Sequence, residues 1–275
     1  MKLKLLPLLL TIFLSTNGIS QIKYGSNNGK YLTIRGTKLY YEEYGKGIPL
    51  LLLHGGLGSI ADFKKCIPNL SKKYKVIAFD APGLGRSEFA DSTMTYKLMA
   101  HYYSEAIDLL KLDSTFVVGW SDAGNVALLL AKIRPDKIKK IAVSGATYKL
   151  EGTTKESLED LNKFSDTTWV IKELKPWIKQ YKEKSPTGNW KKYIIEAKRM
   201  WFEEIYFQKS VLVEINTATL LVYGDRDMYT TELGLELHRA IKKSQFCILP
   251  NTSHDVFWEK PDLINKILID FFNKR

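Results

Sequence analysis

Six short, near-continuous apolar runs lie at 49–53, 75–80, 115–120, 138–144, 218–223 and 245–249, and they alternate with stretches of helical periodicity. No other feature constrains the fold as strongly. Strands that are apolar on both sides need cover on both sides, so the rhythm predicts a mostly parallel sheet with helices on each face. Helical spacing marks 95–111, 122–133, 230–242 and 259–273. Residues 30–35 and 38–44, with Gly36-Thr37 as the turn, read as a leading hairpin. That hairpin brings the sheet to eight strands and gives it an antiparallel edge.

The 275 residues suffice for one large domain with an insertion. The stretch 148–212 breaks the rhythm. It is rich in Lys, Glu, Trp and Tyr, and carries Trp169, Trp177, Trp190, Trp201 and Phe202 among apolar residues at helical spacing. It reads as a helical insertion between two core segments, 21–147 and 213–275. Such an insertion can roof the C-terminal edge of the sheet, where open α/β folds bind ligands.

Residues 1–20 stand apart. Lys2 and Lys4 precede an apolar stretch at 5–14, and small Gly18 and Ser20 precede Gln21. This is the layout of a secretory signal peptide, and the expectation is an exported protein, periplasmic or secreted. Ten apolar residues make about 15 Å of helix, roughly half a bilayer core, so stable membrane insertion after cleavage is not expected. Two cysteines, Cys66 and Cys247, exclude a disulfide-stapled scaffold and a zinc ribbon. Export would permit their oxidation, but nothing in the sequence pairs them. The net charge of +11 comes from 34 Lys and 7 Arg. Nucleic-acid sites favour the planar fork of Arg, so the excess reads as a solvated lysine surface and no nucleic-acid partner is expected.

The chemistry concentrates at strand ends. Gly119-Trp120-Ser121-Asp122-Ala123-Gly124 sits where a strand turns into a helix. Small residues two before and two after Ser121 allow a turn tight enough to expose its hydroxyl, and the helix N-terminus aims amides at a developing oxyanion. A serine needs a base. Of the four histidines, His101 and His238 fall inside predicted helices, whereas His254 follows the last strand, on the same sheet edge as Ser121. Asp227, in Gly224-Asp225-Arg226-Asp227, can orient it. Asp225 competes for that role but reads better as a turn residue bonding its own backbone. The chain order is serine, aspartate, histidine. His54-Gly55-Gly56-Leu57 follows the first parallel strand, and glycines there let an amide approach a substrate closely. The Gly56 and Asp122 amides form the expected oxyanion hole, with Leu57 as the alternative to Gly56. Leu57, Trp120 and the Asp122 side chain are candidate substrate contacts.

With His54-Gly55-Gly56, Asp80-Ala81-Pro82-Gly83-Leu84-Gly85-Arg86-Ser87, the serine turn, Gly224-Asp225-Arg226-Asp227 and Ser253-His254 in this order, the chain resembles the α/β-hydrolase fold family over nearly all of 25–275. The resemblance implies that the insertion is a helical cap and that no metal or organic cofactor is needed. It also implies that Asp80–Ser87 is architectural. Haloalkane dehalogenases and epoxide hydrolases of this fold carry aspartate where this chain has Ser121. The remaining bonds are esters, amides, peptides, lactones, thioesters and carbon–carbon bonds in small-molecule substrates.

The expected activity is serine-dependent hydrolysis of small, partly apolar carboxylic esters. Gly119-Trp120-Ser121-Asp122 resembles the biphenyl-hydrolase-like branch, which includes α-amino-acid ester hydrolases. There Asp122 would face a substrate ammonium; the simpler reading is an acid complementing the helix dipole. The His54-Gly55-Gly56 segment also resembles proline iminopeptidases, though those usually have proline at the position of Leu57. A binding protein of this fold that has lost catalysis is the alternative from another class.

Overall fold

The computed structural model describes residues 24–25, 27–90, 92–203 and 205–274. The segment read as an export signal, 1–20, lies outside the described residues.

An eight-stranded sheet runs through the protein: β1 (Lys30–Ile34), β2 (Thr37–Tyr44), β3 (Ile48–Leu53), β4 (Tyr74–Phe79), β5 (Thr115–Trp120), β6 (Ile138–Ser144), β7 (Ala218–Gly224) and β8 (Ser244–Leu249). Their order is β1-β2-β4-β3-β5-β6-β7-β8, antiparallel for β1–β2 and β2–β4 and parallel elsewhere. The hairpin turn is Arg35-Gly36 rather than Gly36-Thr37. Both turn residues have positive φ (49° and 80°), as the twist of a two-residue hairpin demands, and Thr37 already pairs with Ile34.

Helices cover both faces: α1 (Ile67–Leu70), α2 (Tyr96–Leu109), α3 (Asp122–Ile133), α4 (Lys155–Lys163), α5 (Thr167–Glu173), α6 (Lys175–Lys184), α7 (Trp190–Trp201), α8 (Lys209–Glu214), α9 (Thr231–Ala240), α10 (Val256–Glu259) and α11 (Pro261–Asn273). The run Leu50–Leu53 shows why the strands are continuously apolar. Leu51 and Leu53 enter the core under α2, α3 and α9, while Leu50 and Leu52 enter the core under α1, α10 and α11. Each fully buried leucine is worth roughly 1.5–3 kcal/mol, and one polar substitution on either face would be unmatched.

Helices α4 to α8 lie between β6 and β7. Local signals start and stop them. Thr154, Asp166 and Asn189 accept hydrogen bonds from the first-turn amides of α4, α5 and α7, and Pro176 sits in the first turn of α6. Helix α8 spans the boundary expected at 212/213. It packs on α3 and α9 through buried Leu212, so this last helix flanks the core and does not roof the site. Cys66 is buried, Cys247 is half-buried, and both are free thiols.

The chain leaves β3 for β4 in one direction and returns to β5 in the other. The switch in winding therefore falls between the C-terminal ends of β3 and β5, where a crevice opens. His54–Leu57 and Ser121 occupy those two ends.

Candidate active site

Ser121 stands between β5 and α3 with φ 56° and ψ −123°, a backbone conformation that favours glycine. Strain of this kind costs on the order of 1–3 kcal/mol and persists only where the surroundings enforce it. Here the Ser121 N–H donates to Ser144 O (2.8 Å) and the Gly124 N–H donates to Ser121 O (2.7 Å). The tight turn also explains Gly119: a Cβ there would come within 2.7 Å of the Ala123 carbonyl carbon.

The turn aims the Ser121 hydroxyl at His254, with Oγ and Nε2 2.8 Å apart. His254 Nδ1 lies 2.8 Å from Asp227 Oδ1. A carboxylate only accepts, so Nδ1–H donates to Asp227 and Nε2 is free to accept the serine proton. Burial disfavours a charged imidazole, but the Asp227 charge and hydrogen bond outweigh it, and the His254 pKa is raised. The three side chains come from the ends of β5, β7 and β8.

Two clamps hold the loop that carries His254. The Asp225 carboxylate accepts the Asn251 and Thr252 N–H groups (both 2.9 Å), and these bonds hold its pKa below the usual range. Asp225 bonds its own backbone, as expected of a turn residue, and it also anchors the histidine loop. Glu259 accepts from the Ser253 N–H and hydroxyl (both 2.8 Å).

Trp120 needs correction as a substrate contact. Its ring enters the core on the α10–α11 side, stacks edge-on against Phe257, and its Nε1–H donates to His254 O (2.9 Å). The strand's alternation turns Trp120 away from the cavity, so it supports the histidine from behind.

Gly56, Leu57 and Asp122 all line the cavity that contains Ser121 and His254. The Leu57 N–H donates to the Tyr193 hydroxyl (3.1 Å), and Leu57 O accepts from Trp177 Nε1–H (2.7 Å). The Gly56 N–H has no protein acceptor among the described residues. The geometry thus favours Gly56 over Leu57 as an oxyanion donor beside the Asp122 amide. Behind this loop, buried His54 donates Nδ1–H to Gly55 O (2.8 Å), and its Nε2 accepts the Ala81 N–H (3.0 Å). Burial lowers its pKa, so His54 is a neutral brace.

The Asp122 carboxylate does more than complement a helix dipole. It is buried at the cavity wall, accepting from Tyr96 Oη–H (2.8 Å) and Trp201 Nε1–H (2.9 Å), and so joins core helix α2 to cap helix α7. Burial raises its pKa, against the pull of these two donors.

Several residues around the site escape a sequence reading. Tyr229, two residues beyond Asp227, lines the cavity and sets its ring edge-on to His254 at 5.7 Å. Leu161, Phe164, Tyr206 and Met228 complete the apolar wall. Gly145 follows β6 with φ 56°, and a Cβ on it would stand 2.6 Å from His254 Nδ1. A glycine directly after a strand was its only signal. Gly145→Ala is expected to displace the imidazole and cut turnover by about 10²-fold, the scale of a misplacement near 1 Å. Steady-state kinetics alongside a thermal melt checks this; full activity would mean that His254 is not required where it stands.

Residues 48–167 match the family model for the alpha/beta hydrolase fold. Serine hydrolase BPHL of Homo sapiens is 26% identical over 264 residues, covering 87% of this chain and 84% of the relative. The 2-hydroxy-6-oxo-6-phenylhexa-2,4-dienoate hydrolase of Comamonas testosteroni is 25% identical, covering 86% and 92%. Among solved structures, the meta-cleavage product hydrolase of Pseudomonas fluorescens superposes with a TM-score of 0.74 at 22% identity, over 89% of this chain and 97% of that one. At that identity the structural likeness speaks for the fold alone.

Proposed function

We propose that this chain is a member of the α/β-hydrolase fold family and a serine hydrolase that cleaves small, partly apolar carboxylic esters through a covalent acyl-enzyme. The observation that carries the reading is the unbroken relay from Ser121 Oγ through His254 to Asp227, 2.8 Å at each link. Ser121 attacks the ester carbonyl while His254 Nε2 takes its proton. The Gly56 and Asp122 amides receive the oxyanion, and such donors are worth about 3–4 kcal/mol each. Collapse of the intermediate breaks the C–O bond, and the departing alcohol takes the proton from His254. Water then attacks the acyl group as His254 removes its proton, and Ser121 leaves with that proton restored.

The cavity favours esters over a dienoate substrate. Among the described residues its lining holds no Lys or Arg to pair with a substrate carboxylate. Hydrolysis of p-nitrophenyl esters from C2 to C12, beside amino-acid and prolyl arylamides, tests the reading. Ester turnover above that of the Ser121→Ala variant supports it. Turnover of the arylamides alone would replace it with a peptidase, and silence on every substrate would favour a binding protein.

Asp122 supports a second reading, hydrolysis of amino-acid esters. Its carboxylate lines the cavity beside the nucleophile, and a carboxylate has about four acceptor positions, more than Tyr96 and Trp201 fill. On that reading Asp122→Asn lowers kcat/KM for amino-acid esters at least about tenfold more than for their deaminated analogues, the scale of a charge-assisted hydrogen bond. Equal losses on both would eliminate it.

A further inference from the structure

We infer that a groove on the outer side of the α4–α7 cap is the distal half of the substrate site, that it takes the apolar tail of the ester, and that Phe164 is the partition limiting how much tail is accepted. The inference rests on the esterase reading above. The cavity at Ser121 measures about 170 Å³. A second, larger hollow of about 430 Å³ lies between α5 and α7, walled by Val170, Trp190, Ile194, Ile195 and Phe202. Phe164 lines both, and among the described residues it is the one side chain the two hollows share.

The surroundings of Phe164 suit a partition. It caps the C-terminus of α4, is half-buried, and meets Trp201 edge-on at 5.3 Å and Trp169 at 5.4 Å. Trp201 is fixed in place by Asp122, so it forms the immobile side of the opening. Phe164 is held by packing alone, with no polar group to anchor it. The groove beyond is mostly apolar, with Ile195 at its rim 67% exposed, and Lys191, Lys198 and Arg199 also line it. An alkyl tail entering from the catalytic cavity would cover the apolar side chains and the stems of these three, whose long side chains let the charged heads stay in water.

The test is kcat/KM on p-nitrophenyl butyrate and decanoate for the wild type, Phe164→Ala, Phe164→Leu and Phe164→Trp. Each methylene newly buried is worth a factor of about four. The decanoate-to-butyrate ratio should therefore rise at least about tenfold in Phe164→Ala, rise less in Phe164→Leu, and fall in Phe164→Trp. Adding Ile195→Gln to Phe164→Ala removes an apolar side chain from the groove wall and should take back part of the gain. Should Phe164→Ala fail to fold, the Leu and Trp variants still move the ratio in opposite directions. An unchanged ratio across the series, with turnover still dependent on Ser121, would overturn the partition and leave the esterase reading standing. Absence of Ser121-dependent turnover in the wild type would remove that reading, and the inference with it.

Discussion

Ser121→Ala is expected to lower kcat for a p-nitrophenyl ester by roughly 10⁵–10⁶-fold while leaving KM close to its original value. The asymmetry follows from the geometry. On the proposed mechanism the hydroxyl, 2.8 Å from His254 Nε2, takes part in bond making, while substrate binding falls to the rest of the cavity wall, Gly56, Leu57, Phe164, Trp201 and Tyr229 among it. The fold should survive, because alanine at φ 56° is no more strained than the serine it replaces, and the amide bonds that hold the turn are main-chain. An unchanged melt with abolished turnover is the predicted pair of results. A loss below about tenfold would mean that the acyl group is not carried by Ser121.

Asp227→Asn is the second large effect, a fall of about 10⁴-fold in kcat. On the proposed mechanism Asp227 has two tasks. It holds the tautomer in which Nε2 faces Ser121, and its charge stabilises the imidazolium formed as the serine gives up its proton. Asparagine can offer an N–H to Nδ1 instead of accepting from it, which reverses the tautomer. The same change has a signature in pH. In the wild type, burial opposes the imidazolium, Asp227 more than compensates, and the His254 pKa lies above its ordinary value of about 6.5. The base works only when neutral, so kcat/KM should fall as the pH drops through a value above 6.5. Without the Asp227 charge, burial has less opposition, and the acid limb should move to lower pH. Measuring kcat/KM from pH 5 to 9 for both forms reads the direction. A limb at the same pH in both would mean that another group titrates.

The comparison of sequence with structure turns on which features are local. The strands were legible because a strand buried on both faces has to be apolar throughout, as Leu50–Leu53 are. Ser121, Asp227 and His254 were legible for the opposite reason: Ser121 directly follows such a run, Asp227 and His254 lie in the loops after two others, and parallel strands bring their ends to one edge. The direction of Trp120 was not legible. At a strand end, one residue of register decides between cavity and core, and the helices α10 and α11 that claim its ring lie more than 130 residues away. The turn role of Asp225 was legible, but its hold on the loop after β8 was not, because Asn251 and Thr252 meet it only once β7 and β8 pair. The cap aromatics separate only in three dimensions. Trp201 faces the catalytic cavity, Trp190 and Phe202 face the outer groove, and Trp177 grips the Leu57 carbonyl.

Everything proposed above depends on Ser121 being a nucleophile activated by His254. Incubation with a fluorophosphonate, followed by intact mass and peptide mapping, tests it without knowledge of the natural substrate. A single phosphonyl adduct on Ser121 is expected, formed at least about 10²-fold more slowly in His254→Ala, the lower range for loss of a general base. No adduct, or an adduct on another residue with Ser121 unmodified, would contradict it.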